Sequence, residues 1–240
     1  MRAFGLTDVG LKRKINQDAF LCRPDIGLFV VADGMGGHRG GEVASQLAID
    51  TIESSMEGAL ASQHSAENTP RSLLQAAITQ AGSAIYEKAR HDEDLAGMGT
   101  TVVAALVQGN KVTLAQVGDS RIYLGQRPHL WQITEDHSLM NEELRAGRLL
   151  PQDLLNYQFK NVITRSVGYE PRVAADFYER QKQEQDIFVM CSDGLSGLVP
   201  TEDIAKTLFS APLEQAVMEL VHLANARGGD DNITVVAFQA

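Results

Sequence analysis

The order of apolar patterns along this 240-residue chain predicts an α+β fold, in which two mainly antiparallel sheets carry helices on their outer faces. Three observations point that way. Short β-like runs come first, then two helical stretches, then many strands, one more helix and a last strand, without the alternation of a doubly wound sheet. Glycine links at 109–110 and 118–119 separate successive strands tightly. The helical stretches keep their apolar residues on one face, as helices laid on a sheet must.

The opening runs are Ala3 to Asp8, Ala19 to Cys22 and Gly27 to Ala32. A helix is predicted where Ala44, Leu47, Ala48, Thr51, Ile52 and Met56 recur with a period near 3.6. Residues 58–70 are small and polar and read as a loop between helices. Pro70 suits the first turn of the second helix, whose stripe is Leu74, Ala77, Ile78, Ala81 and Ile85. Strands follow at Thr100 to Val107, Val112 to Val117, Arg121 to Leu124 and His129 to Ile133. Residues 137–165 are mixed, with a helical hint from Leu139 to Ala146. Ile187 to Cys191 reads as a strand, Leu213 to Ala224 as an amphipathic helix and Ile233 to Phe238 as the closing strand. No linker or repeat interrupts the pattern, so one domain over 1–240 is expected.

At 44% hydrophobic and 22% charged, the chain has ordinary globular composition. Its formal net charge of -10 opposes binding to nucleic acid and to anionic membranes, though simple solubility explains the same number. No apolar run approaches the roughly 20 residues of a membrane span, and residues 1–10 lack a signal pattern. A soluble cytoplasmic protein is therefore expected. Cys22 and Cys191 form no CxxC pair and lie in apolar stretches, as buried free thiols would. Cys191 is not followed by the arginine of a thiol-phosphatase loop.

The chemistry lies in the aspartates. Apolar runs end in Asp33-Gly34, in Gly118-Asp119 and in Ser192-Asp193-Gly194, while Asp230-Asp231-Asn232 leads into the last strand. Aspartate is a poor strand residue and costly to bury alone. Several at strand ends would crowd one sheet edge and raise each other's pKa, a penalty that a divalent cation removes. A single Asp-Gly after a strand is more often a turn. Spacing alone leaves both the turn reading and an oxygen-ligand metal site open. The run 34–41 lacks the Gly-Lys-Ser/Thr ending of a phosphate loop.

Seven motifs in order make the chain resemble the metal-dependent protein phosphatases of the PPM (type 2C) family in their compact bacterial form. They are Gly10-Leu11-Lys12-Arg13-Lys14-Ile15-Asn16-Gln17-Asp18, Val31-Ala32-Asp33-Gly34-Met35-Gly36-Gly37-His38, Met98-Gly99-Thr100-Thr101, Val117-Gly118-Asp119-Ser120-Arg121, Thr134-Glu135-Asp136-His137-Ser138, Ser192-Asp193-Gly194-Leu195 and Gly229-Asp230-Asp231-Asn232. The resemblance implies a four-layer α-β-β-α sandwich and hydrolysis of phosphoserine and phosphothreonine by a metal-activated water, without a covalent intermediate. It implies two Mg²⁺ or Mn²⁺ ions. Asp33 would bridge them, the Gly34 carbonyl would touch one, Asp193 and Asp231 would serve the other, and Asp18 would hold bound water. Asp119 matches a position that can take a third ion, and Arg13 matches the phosphate-binding arginine.

The same resemblance implies phosphoprotein substrates, an opposing bacterial serine/threonine kinase and a monomer. Residues 138–166, with Glu142, Glu143, Asp153 and Tyr157, correspond to a flap beside the site. His137 is expected to serve as a structural hydrogen-bonding residue. Two positions depart from the better-known eukaryotic pattern. Met35 stands where a proton-donating histidine is found, which leaves His38 or water as candidate donor. Gln17 replaces a common glutamate, which predicts weaker binding of the second ion. Two other classes fit the chain: a catalytically weak phosphoprotein-binding module on the same fold, and a metal-dependent hydrolase of small phosphoesters or nucleotides. Loss of ligand aspartates would mark the first; activity on nucleotides rather than phosphopeptides would mark the second.

Overall fold

A computed structural model describes residues 1–37, 39–61, 69–159 and 161–239. It contains two antiparallel sheets. The first takes the strands β1 (Arg2–Asp8), β7 (Arg121–Gln126), β8 (His129–Gln132), β10 (Ile187–Cys191) and β11 (Ile233–Gln239), in the order β1-β11-β10-β7-β8. The second takes β2 (Asp18–Arg23), β3 (Leu28–Met35), β5 (Val102–Gln108), β6 (Lys111–Val117) and β9 (Asp176–Gln181) in that order, with the short β4 (Gly99–Thr100) on the end of β3.

Helices cover both outer faces, giving the expected α-β-β-α layering. Helices α1 (Gly40–Ala61) and α2 (Pro70–His91) pack on the second sheet. Helices α4 (Asp193–Ser196), α5 (Thr201–Leu208) and α6 (Leu213–Ala226) lie on the first. A further helix, α3 (Leu139–Arg145), starts beyond β8. Among the described residues no helix is long and apolar enough to cross a membrane.

This layering explains the continuous apolar runs. Phe29 and Val31 point between the sheets, while Leu28, Val30 and Ala32 point toward α1 and α2. With both faces covered, alternation disappears. Between the sheets, Phe238 stacks on Phe29 at 4.1 Å and on Phe188 at 5.0 Å between ring centroids.

Three expectations need correction. Gly118-Asp119 is no hairpin: it carries the chain from β6 in one sheet to β7 in the other. Helix α1 runs to Ala61, into the 58–70 stretch read as loop, and 62–68 lie outside the described residues. Cys22 is only half-buried, whereas Cys191 is buried. Strand β9 and helix α5 were missed. At the sheet edge, β9 carries Asp176, Glu179 and Arg180 and so lacks an apolar run, while Arg71 covers its Phe177 at 4.9 Å. Helix α5 is only eight residues long, and three buried side chains, Ile204, Ala205 and Leu208, dock it.

Candidate metal centre

One edge of the sandwich gathers five aspartates from separate parts of the chain. The register of β2 and β3 sets Asp18 directly opposite Asp33, so both side chains share a face at close range. Strands β10 and β11 are antiparallel, which brings Asp193, just beyond the end of β10, to the same edge as Asp231, just before β11. Asp119 enters from the crossing between the sheets. Asp33 stands centrally and feels the charge of the other four.

Burial is the leading cause of the electrostatic strain, with the neighbouring carboxylates next. Together they raise Asp33 well above the ordinary carboxylate range. Burial lifts Asp18 to about 7, against hydrogen bonds from Thr234 and Ser192 that favour its ionised form. Burial, then Asp193 and Asp136, lift Asp119 to about 7. Asp193 is raised by burial and by Asp231. Asp119 Oδ1 is buried without a hydrogen-bond partner.

An all-oxygen donor set with excess negative charge and an unsatisfied carboxylate oxygen fits hard divalent cations such as Mg²⁺ or Mn²⁺. Among the described residues no three acidic, histidine or cysteine side chains already converge on one point. Asp231 is instead turned to Arg13 at 2.6 Å, and Asp18 accepts from the Ser192 hydroxyl at 2.7 Å.

A linkage prediction follows. A carboxylate whose folded pKa is raised keeps a proton that the unfolded chain, near 3.8, has released. Stability is therefore lost as pH rises between those two values. For chelator-treated protein, each pH unit crossed with one extra proton held costs about 1.4 kcal/mol, roughly 3 °C for a domain of this size. The expected result is a melting temperature that falls from pH 5 to pH 8 in EDTA and recovers with Mn²⁺ at pH 8. A flat profile in EDTA would contradict it.

The backbone around Asp33 is tightly held. Its N–H donates to Thr101 Oγ1 at 3.1 Å, and its carbonyl accepts from the Thr101 N–H at 2.8 Å and the Thr100 hydroxyl at 2.9 Å. Gly34 admits no side chain: a Cβ there would sit 1.9 Å from the Gly41 carbonyl oxygen. The Gln17 amide lies against Gly41, packed at the start of α1.

Arg13 comes from a loop docked on the 228–231 turn, where the Leu11 N–H donates to the Gly229 carbonyl at 2.8 Å. Its side chain is 49% exposed, and Asp231 is its one partner among the described residues. His38 lies outside the described residues. Met35 pairs with Gly99 just past Asp33. His137 is hydrogen-bonded on both nitrogens: Nδ1 accepts from the Gly118 N–H at 3.1 Å and Nε2 faces Asp176 at 3.1 Å. Burial lowers its pKa, and Arg165 adds to this against the opposing pull of Asp176. Segment 138–166 is pinned at its root, where the Thr164 N–H donates to the His137 carbonyl at 2.9 Å. Within it, Glu143 is engaged by Arg148 at 2.7 Å, and Tyr157 packs edge-on to Phe159.

Reading by residue type missed the neutral supports, Thr100, Thr101, Ser192, Thr234 and Asn232. Asn232 is the most connected. Its Oδ1 accepts from the Gln17 N–H at 2.8 Å, and its Nδ2 donates to the carbonyls of Val9 at 2.9 Å and Ile15 at 3.0 Å. It thereby staples both ends of the Arg13 loop to the start of β11. Nothing in the linear pattern pairs 232 with 9, 15 and 17; only the run Asp230-Asp231-Asn232 marks it. Asn232→Ala removes three hydrogen bonds to backbone groups, so thermal denaturation should show a loss of roughly 2–3 kcal/mol, several degrees in melting temperature. A loss below about 0.5 kcal/mol would show the staple to be dispensable.

The comparisons with known proteins agree with this fold. Residues 12–233 match the family described as Protein phosphatase 2C. The chain is 38% identical over 240 residues to the serine/threonine phosphatase stp of Listeria monocytogenes serotype 4b, covering 98% of this chain and 94% of that one. The crystal structure of the Mycobacterium tuberculosis serine/threonine phosphatase PstP/Ppp superposes with a TM-score of 0.89 at 34% identity, over 98% of this chain and 97% of that one. The catalytic domain of PstP in complex with 2 manganese ions superposes with a TM-score of 0.86 at 34% identity, over 98% and 96% of the two chains. The chain belongs to the protein phosphatase 2C family and is a metal-dependent protein serine/threonine phosphatase.

Proposed function

We propose that Asp33, Asp193 and Asp231, with the Gly34 carbonyl, hold the two divalent ions of this phosphatase, that Asp18 orients water beside them, and that Asp119 offers a place for a third ion. One observation supports this above all: buried carboxylates from separate chain segments share one sheet edge and raise one another's pKa. The solved relative with two manganese ions supports the same count. When bound, such ions supply a nucleophile from water at neutral pH and positive charge beside the phosphoryl oxygens.

The chain's own residues do the rest. Asp33 spans the centre of the cluster. Arg13, half-exposed and beside Asp231, binds two phosphoryl oxygens as a planar pair of donors. Met35 offers no proton to the leaving alkoxide, which leaves His38 or solvent water. Rate should therefore fall steeply as leaving-group pKa rises. A flat dependence across aryl phosphates, with chemistry limiting, would contradict that. A cleft of about 450 Å³ beside Met35, lined by Ile163, Arg165, Tyr169 and Arg172, is the place for residues flanking the phosphorylated one.

The reading extends to a single domain over 1–240 with 138–166 as its flap, acting as a cytoplasmic monomer on phosphoproteins. An opposing bacterial serine/threonine kinase belongs to the same reading. The deciding experiment measures phosphate release from a phosphothreonine peptide with Mn²⁺, with excess EDTA, and with Asp193→Ala. Release that needs Mn²⁺ and collapses in the variant is expected. No release by folded protein under any divalent metal would leave a phosphoprotein-binding module, and preference for nucleotides would indicate a small-phosphoester hydrolase.

A further inference from the structure

The turn that carries Asp119 is gripped by a side chain outside the carboxylate cluster. Gln116 is the next-to-last residue of β6 and is fully buried. A buried primary amide is costly unless its N–H groups and carbonyl oxygen find partners. Here they do. Nε2 donates to the Gly118 carbonyl at 3.2 Å, with a longer contact of 3.5 Å to the Ser120 carbonyl. Oε1 accepts from the Glu135 N–H at 3.2 Å and the Tyr178 hydroxyl at 3.3 Å. One amide thus spans the carbonyls on either side of Asp119 and ties them to the 134–137 segment and to β9.

The Gly118 peptide is held from its other side as well. The His137 N–H donates to the same Gly118 carbonyl at 3.0 Å, and the Gly118 N–H donates to His137 Nδ1 at 3.1 Å. Gly118 has φ +101°, and a Cβ there would meet the Thr101 side chain at 2.6 Å, so the turn has little room to shift. Asp119 Oδ1 adds no hold of its own, because it has no hydrogen-bond partner. Its position is therefore set through the backbone.

We propose that Gln116 is a positioning residue for Asp119: by spanning the two carbonyls that flank it, the amide fixes where that carboxylate stands relative to Asp33 and Asp193. The inference rests on Asp119 being an ion ligand. Gln116 itself touches neither ion nor substrate, and its effect passes through Asp119 alone.

Isothermal titration calorimetry with Mn²⁺ on the purified full chain tests this, using wild type, Gln116→Met, Asp119→Ala and the double variant. Methionine keeps the volume and removes the amide. Asp119→Ala should remove or weaken one class of ion. Gln116→Met should weaken the same class on the order of 10-fold, as loss of a support behind a metal ligand does. The double variant should bind no worse than Asp119→Ala alone, since the two act in series. With a phosphothreonine peptide at limiting Mn²⁺, kcat should fall in Gln116→Met while KM holds.

Unchanged Mn²⁺ binding in folded Gln116→Met, with Asp119→Ala impaired, would overturn this inference and leave the Asp119 reading standing. Equal weakening with and without Asp119 would also overturn it, by showing a merely structural role. Unchanged binding in Asp119→Ala would remove both. If Gln116→Met does not fold, Tyr178→Phe decides: it removes one donor from the amide and should shift the same ion class in the same direction by less, whereas no shift would overturn the inference.

Discussion

Replacing Asp33 by asparagine is expected to abolish Mn²⁺-dependent phosphate release, by on the order of 10³-fold or more, which is about 4 kcal/mol of barrier. The same change should make the chelator-treated protein more resistant to heat. Both effects have one cause. Asp33 sits where burial and four other carboxylates oppose its charge. An asparagine keeps the shape and the backbone hydrogen bonds with Thr100 and Thr101 while removing that charge. It cannot supply the bridging anion that the proposed ion pair needs. Melting temperature at pH 8 in EDTA should rise by about 2–4 °C for each kcal/mol of repulsion removed. Added Mn²⁺ should stabilise the variant far less than the wild type. If Asp33→Asn instead destabilised the metal-free protein, the crowding of charge described above would be wrong. If activity survived, the assignment of Asp33 would fall.

Arg13→Ala should lower kcat/KM for a phosphothreonine peptide by roughly 10²-fold, the usual cost of losing one donor to a developing phosphoryl charge. Arg13→Lys should recover only part, because an ammonium cannot offer two parallel N–H groups. Calorimetry separates this role from support of the metal site. Arg13 holds Asp231 in an exposed ion pair, and such pairs contribute only about 0–1 kcal/mol. Removing it should leave Mn²⁺ affinity unchanged or tighten it by a few-fold, since Asp231 no longer has to leave a partner. A strong loss of Mn²⁺ affinity in Arg13→Ala would show that Arg13 shapes the ion site rather than the phosphate site.

Much of the fold was legible because its signals are local. The runs 28–32 and 102–107 are apolar on every residue, as strands buried on two faces must be. The stripes of α1 and α2 follow the helical period. Strand β9 was not legible, because its polar side chains sit at a sheet edge and its place is set by pairing with β6. The 118–119 link looked like the 109–110 hairpin turn, yet one crosses between sheets and the other does not. Both begin as short glycine links in the sequence; the packing of the two sheets decides which one crosses.

The site divides along the same line. By itself the sequence marked carboxylates after apolar runs as candidates, left a turn reading open at each, and attached roles to Asp18, Asp119 and Arg13 only through the resemblance. It determined the family too, through seven motifs in order. Only the tertiary structure decided that Asp18 lies opposite Asp33, that Asp193 and Asp231 meet through antiparallel β10 and β11, and that Asn232 and Gln116 hold the loops in place. Charge is a property of a residue and can be read one position at a time. A hydrogen bond between Asn232 and Gln17 joins residues far apart in the chain, and it exists only once the sheets have brought them together.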